Sequence, residues 1–260
     1  MYKQSHFPTP PQAEARPELL RHLDTERTDP FYYMRDKSAP EVLSYLQAEN
    51  AYTEEVMQGT KELQETIYQE ILGRIKEDDQ SYPTLRRGYY YYTCTEKGKQ
   101  YPTHYRYEAK AFEAEWDEHP EAVTGGELLF DVNALAEGKP AFIFAGYAIS
   151  PDNRLAAYFS NDTGSYAEFE LRIRDLVRGE DLDFCLQGVS SLAWAEDSET
   201  IYYSLIDDTL RSSRIYVQRL SEPGAELLYE ELDGRFSCSV SETKTREFIF
   251  ISTSSSTTSE

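Results

Sequence analysis

The sequence predicts a mainly β fold: an incomplete β-propeller of about three blades plus part of another, preceded by an N-terminal helical segment. Three observations predict it. Ala148–Ser165 (AISPDNRLAAYFSNDTGS) reads as a strand end, a polar turn at Ser150-Pro151-Asp152-Asn153, and a second apolar strand from Leu155 to Phe159. Pro151 presets φ for a turn, and Asp152 and Asn153 can hydrogen-bond their own backbone there. Two echoes follow downstream. Leu192–Ser198 precedes Ile201-Tyr202-Tyr203, and Ser239–Lys244 precedes Phe248–Ile251. These turns recur roughly 45 residues apart, the length of one four-stranded blade. Finally, helical periodicity stops after Glu77, and short alternating segments replace it.

Taken in order, residues 1–28 are rich in Pro and polar groups and read as an extended arm. Residues 29–78 form the helical segment, opening on the aromatic cluster Asp29–Asp36. Ser38-Ala39-Pro40-Glu41 carries the Ser-x-x-Glu capping box, with Pro inside the first turn, so a helix starts there. Apolar residues keep a helical period through Leu46, Val56, Leu63, Ile67, Ile71 and Ile75. Gly59-Thr60 breaks the run, because Gly is a poor helix interior and Thr can cap a second helix. Two amphipathic helices are expected, over 40–57 and 61–76.

Residues 79–260 make the partial propeller. Gly88–Thr93 is a tyrosine-rich strand, Glu96–Lys99 a turn, and Gln100–Tyr107 its return, a hairpin in the first blade over 85–131. Tyrosine stripes of this kind pack a sheet and leave hydroxyls at its rim. Residues 127–131 give another strand, and 132–139 a helical turn or loop. Phe169–Ile173 and Ile215–Leu220 alternate as third strands of successive blades. Phe248–Ser252 reads as a central strand of a further blade, and Thr253–Ser259 is all Ser and Thr. Propellers close a ring of blades, since an open array exposes strand edges, so the sequence reads as a fragment.

The 47 acidic and 26 basic side chains give a formal charge of −21. That surface disfavours nucleic acid and anionic membranes; it reads first as a solubilising charge and second as an attraction for cationic peptides or proteins. No segment has the apolar length to span a bilayer, and the N-terminus lacks the apolar core of a signal peptide. Cys94, Cys185 and Cys238 are well separated, which points to a reducing, cytoplasmic setting without a disulfide framework.

Motifs that carry chemistry are missing: no nucleophile elbow, no His-Glu-x-x-His, no phosphate loop and no Gly-x-Gly-x-x-Gly. His6, His22, His104 and His119 have no metal-ligand spacing. His104 lies in a strand and reads as structural. Glu113, Glu115, Asp117 and Glu118 flank Trp116, and as an acidic run on a loop they read as solvated. The residues themselves therefore assign no catalytic, cofactor-binding or metal site, and no cofactor.

The order of segments resembles the N-terminal half of the prolyl oligopeptidase family of serine peptidases, its oligopeptidase B branch most of all. Asp29–Asp36 (DPFYYMRD) is similar to that family's Asp-Pro-Tyr-x-Trp-Leu-x-Asp opening, with Tyr33 in place of Trp. Tyr45–Tyr52 and Gly73–Asp79 resemble its first helix and the end of its second. Gly88–Thr93, Gly98–Pro102 and Leu129–Asn133 resemble its first blade. Ile149–Asn153, Asp162–Gly164, Arg174–Leu176 and Trp194–Asp197 follow in the same order. Thr257–Glu260 looks like the family's Thr-Ser-Glu, which lies inside the propeller. The resemblance covers nearly all of residues 29–260.

The resemblance implies a seven-bladed propeller that covers the active site of an α/β-hydrolase domain and restricts substrates to short peptides. The Ser, Asp and His of the triad belong to that C-terminal hydrolase domain, so no catalytic residue carries over to this chain. The whole protein is then expected to cleave short cationic peptides after Arg or Lys through an acyl-enzyme. Two alternatives stand beside this: a prolyl oligopeptidase cutting after Pro, and a non-enzymatic peptide-binding propeller. One departure bears on the link between domains. Where relatives often carry Asp-Thr-x-Gly-x-Glu-x-Tyr, Ala167 takes the place of the Glu, with Glu168 beside it.

Overall fold

The structure, a computed structural model, describes residues 7–118 and 125–260. Two compact units divide at Lys76/Glu77. The first holds a hairpin and two helices. Glu18–His22 (β1) and Thr25–Asp29 (β2) pair antiparallel within the region expected to be an extended arm. The Thr25 hydroxyl donates to the His22 carbonyl at 2.8 Å and closes the turn, with Leu23 at φ 55°. No Gly or Asn marks that turn, so its left-handed residue leaves no signal in the sequence. The aromatic cluster winds into a 3-10 turn at Tyr32–Arg35, where Arg16 stacks 4.7 Å from the Tyr33 ring centre.

Helix α1 runs Pro40–Met57 and α2 Lys61–Leu72, joined through a 3-10 turn at Gln58–Thr60 that contains the expected Gly59 break. The capping box does not form. Ala39 is the N-cap, and the Ser38 hydroxyl donates instead to Asp36 at 2.7 Å. Pro40 needs no N–H partner at this position, so the helix starts without a side-chain cap. Thr60 also caps nothing; its hydroxyl donates to the Met57 carbonyl.

The second unit is a row of antiparallel sheets. The first contains Asp79–Gln80 (β3), Thr84–Arg86 (β4), Tyr89–Thr95 (β5), Thr103–Glu108 (β6) and Glu127–Asp131 (β7). Both β3 and β4 lie along the same edge of β5. Between β6 and β7 comes helix α3, Ala109–Glu118, which corrects the expected acidic loop. Phe112 and Trp116, four residues apart, give this helix one aromatic face, and Phe112 is buried with Tyr92. A short helix α4, Val132–Ala136, is capped by Asp131, which accepts from the Asn133 and Ala134 amides.

The second sheet runs Ile143–Ile149 (β8), Leu155–Asn161 (β9), Glu170–Asp175 (β10) and Glu180–Gln187 (β11). The third runs Val189–Trp194 (β12), Thr200–Ile206 (β13), Ser212–Arg219 (β14) and Glu226–Glu230 (β15). Ser237–Glu242 (β16) and Ile249–Ser254 (β17) pair as a two-stranded sheet. The second and third sheets are four-stranded meanders, whereas in the first β3 skips β4 and pairs with β5. Among the described residues these four sheets do not close a ring, as the incomplete propeller requires.

Period-2 alternation builds the core between sheets. On β9, Ala156 and Tyr158 join Phe130, Val132 and Phe142 on one side, while Ala157 joins Leu171, Ile173 and Trp194 on the other. On β13, Ile201 and Tyr203 enter that second cluster, and Tyr202 packs against the next, around Ile215, Cys238 and Val240. Side chains also stitch sheet to sheet. The Trp194 indole donates to the Ala148 carbonyl at 3.1 Å, and the Val240 amide donates to Ser191 Oγ at 2.9 Å.

The β13–β14 turn supplies an acid-sensitive element. Asp207 accepts from the Thr209 hydroxyl and from the Thr209 and Arg211 amides, which pull its carboxyl down from the ordinary 3.8 to about 2. A depressed folded-state pKa gives stability that is present above the unfolded value and lost as pH falls through the folded one. Thermal unfolding between pH 4 and pH 2 should therefore steepen on this group, and Asp207→Asn should flatten that part of the pH profile. An unchanged profile in the variant would remove Asp207 from the account.

Candidate functional site

The turns that identify the repeat come together in space. Arg87-Gly88 joins β4 to β5 in the first sheet, and in the other three a tight turn joins the first two strands: Ser150–Arg154, Ala195–Glu199 and Thr243–Phe248. Arg87, Asn153, Ser198 and Arg246 all take left-handed φ, between 47° and 64°. Asn tolerates that conformation, and the Arg87 and Ser198 side chains are held by neighbours.

Arg87 is the hub. Its Nη2 donates to Glu196 Oε1 and to Glu242 Oε1, both at 2.7 Å, reaching the third and fourth sheets from the first. Arg86 donates to the other Glu242 oxygen at 2.9 Å. The Asn153 amide donates to the Arg87 carbonyl at 3.0 Å, and the Asp152 amide donates to Ser198 Oγ at 2.9 Å. Beneath them Arg106, buried and forked onto Glu127 at 2.7 and 3.0 Å, donates to the Asn153 carbonyl and lies 4.6 Å from the Tyr89 ring centre. The carboxylates hold Arg87 above the ordinary guanidinium range, Glu196 first, and Arg87 holds Glu196 below the ordinary carboxylate range. All four sheets therefore meet at one charged knot at these turns.

A second feature is a cleft of about 490 Å³ lined by Tyr158, Ser160, Glu168, Glu170, Arg172 and Asp181, among others. Arg172 pairs with Glu170, and the Tyr158 hydroxyl donates to Asp181 at 2.6 Å. The departure noted at Ala167-Glu168 sits on its wall. Ala167 and Glu168 point their amides at Ser165 Oγ, while the Glu168 carboxylate is exposed and Tyr166 is 87% exposed.

The remaining candidates lie elsewhere. His104 lies 5.2 Å from the Phe144 ring and 5.3 Å from Tyr147, and burial pushes its pKa below the ordinary 6.5. Burial thus disfavours the charged imidazole at this sheet interface. Glu113 accepts from the Tyr90 hydroxyl at 3.2 Å, and Glu115 accepts from Tyr107. His6 and His119 lie outside the described residues, as do the side chains of Asp117 and Glu118. Cys94, Cys185 and Cys238 are free thiols, each pushed up by burial. Among the described residues no group of three His, Cys, Asp or Glu is placed to hold a metal ion.

The family model described as the prolyl oligopeptidase N-terminal β-propeller domain matches residues 10–260. The chain belongs to this family. Among curated members of the prolyl oligopeptidase family, dipeptidyl aminopeptidase BI of Pseudoxanthomonas mexicana is 36% identical over 97% of this chain and 36% of that protein. Protease 2 of Moraxella lacunata is 30% identical over 90% of this chain and 34% of that protein. The chain thus spans about a third of the length of these relatives. Oligopeptidase B from Trypanosoma brucei, solved in a closed form with covalently bound antipain, superposes with a TM-score of 0.82 at 26% identity. The match covers 95% of this chain and 36% of that one. Oligopeptidase B from Leishmania major superposes at 0.84 over 95% of this chain and 36% of that one, and at 24% identity it shows the shared fold. In this prolyl oligopeptidase propeller, Arg86, Arg87, Arg106 and Glu242 carry no sequence motif. Only the folding of four distant turns onto one point reveals them.

Proposed function

We propose that this chain is the propeller portion of a serine oligopeptidase that hydrolyses short peptides, cutting after Arg or Lys. The observation that carries the reading is the family match across residues 10–260, joined to the 0.82 superposition on oligopeptidase B. On this reading a Ser nucleophile and a His base reside in an α/β-hydrolase domain, and the propeller supplies no catalytic residue. Its part is to admit short chains and exclude folded ones, with the acidic surface drawing cationic peptides toward it. A cytoplasmic setting belongs to the same proposal, supported by three free thiols. No helix among the described residues is long and apolar enough to cross a membrane.

The 36% identity to a protein named dipeptidyl aminopeptidase BI favours a second reading, release of dipeptides from a free amino end. One panel separates the readings. The full-length gene product is assayed on chromogenic peptides ending in Arg, Lys or Pro, each with a blocked and a free amino end. Cleavage of blocked Arg and Lys peptides is the expected result. Turnover of free-ended peptides alone supports the aminopeptidase, and turnover after Pro alone supports a prolyl specificity. No turnover of any peptide defeats the peptidase reading.

A further inference from the structure

Away from the charged knot and the cleft, helix α3 builds a cavity of about 130 Å³ on the first sheet, lined by Tyr82, Pro83, Tyr90, Phe112, Glu113 and Trp116. Tyr90 stacks on Phe112 at 4.2 Å and Trp116 stacks on it at 5.5 Å. Tyr82 stands edge-on to Trp116 at 6.5 Å and is 85% exposed, forming an open wall. Glu113 sits at the rim, exposed, touching the cavity through its contact with the Tyr90 hydroxyl. Among the described residues the lining contains no Lys, Arg or His.

Ring faces carry negative quadrupole potential, and a carboxylate beside them adds a full negative charge. An anion is repelled here by both. A purely apolar group stacks on the rings but strips water from Glu113 without replacing it. A guanidinium or alkylammonium satisfies both surfaces at once, with its stem against the rings and its charge toward the carboxylate. The geometry points to a binding site for a cationic side chain, Arg or Lys, of a peptide. The net charge of −21 concentrates such ligands around it. The site requires no cleavage and stands whether or not the whole protein is a peptidase.

The chain has two tryptophans, so two indole N–H signals report on binding. Trp194 is buried and already bonded to Ala148, and it serves as the internal control. The probe is the blocked tripeptide Gly-Arg-Gly, added to protein labelled with nitrogen-15 at tryptophan. The expected result is a saturable shift of Trp116 with Trp194 unmoved. Glu113→Gln should weaken the apparent affinity about fivefold, as should raised salt. Trp116→Phe identifies the signal and retains a ring if larger changes disturb the helix. Gly-citrulline-Gly keeps the shape without the charge and should bind several-fold more weakly. Equal binding of the citrulline peptide would overturn the proposal in favour of stacking alone. Stronger binding of Gly-Pro-Gly would overturn it in favour of proline recognition. Movement of both indoles, or of neither, would also overturn it.

Discussion

Replacing Phe130 with alanine is expected to lower the unfolding free energy by about 4 kcal/mol. Phe130 is fully buried on β7, and its ring lies 5.1–5.3 Å from the rings of Phe144, Tyr147 and Tyr158. Those three rings come from β8 and β9, so this single side chain fastens the first sheet to the second. Alanine removes the apolar contact and leaves a cavity that strand backbones on both sides cannot close. In a unit of this size the loss corresponds to a fall in Tm of roughly 10 °C. Phe130→Leu, which keeps most of the volume, should cost only about 1.5 kcal/mol or less. Urea unfolding of both variants checks the pair. Equal, small losses would mean that the interface repacks and that Phe130 does not fasten it.

Arg87→Ala is expected to cost about 3 kcal/mol, for a different reason. The Arg87 side chain is 11% exposed and that of Glu242 17%, so this ion pair is largely shielded from water. Removing the guanidinium strands Glu242 near Arg86 alone and unties Glu196, which is 59% exposed and recovers water more readily. Lysine should not rescue the variant, because one ammonium cannot reproduce the fork that reaches two carboxylates from two sheets. A double-mutant cycle with Glu242→Gln should show a coupling of about 1–3 kcal/mol, and a cycle with Glu196→Gln a smaller one. Additive effects throughout would show that the knot contributes geometry without energy.

Much of this architecture was legible because it rests on local rules. The turn at Ser150–Asn153 and its echoes were readable from Pro, Asp and Asn at turn positions, and the strands from their period of two. Helix α1 was readable over its full length, and α2 up to four residues before the expected end. What escaped has a common cause: the deciding partner is distant or the usual marker is absent. The β1–β2 hairpin turns at Leu23-Asp24, without a glycine. Helix α3 looked like an acidic run until Phe112 and Trp116 were given a sheet to cover. Ser38 met the capping pattern, yet Asp36 competed for its hydroxyl and won. Arg87 reaches 109 and 155 positions along the chain to its carboxylates, and no window of sequence holds both ends.

The pair β16–β17 has a consequence for how the chain behaves in solution. Phe248 and Phe250 are 63% and 56% exposed, and β16 is the one named strand that pairs with β17. Thr253 and Glu260 exchange backbone hydrogen bonds along one part of β17, while the exposed rings of Phe248 and Phe250 offer apolar surface to a second copy. The net charge of −21 opposes that encounter, but only over the distance at which charges are felt. That distance is about 10 Å at 0.1 M salt and about 3 Å at 1 M. Added salt should therefore promote self-association while leaving the knot's shielded ion pair mostly intact. Light scattering across a salt series would reverse this view if the particle size fell or stayed constant. For this chain, low ionic strength acts as the chaperone of its exposed aromatic face.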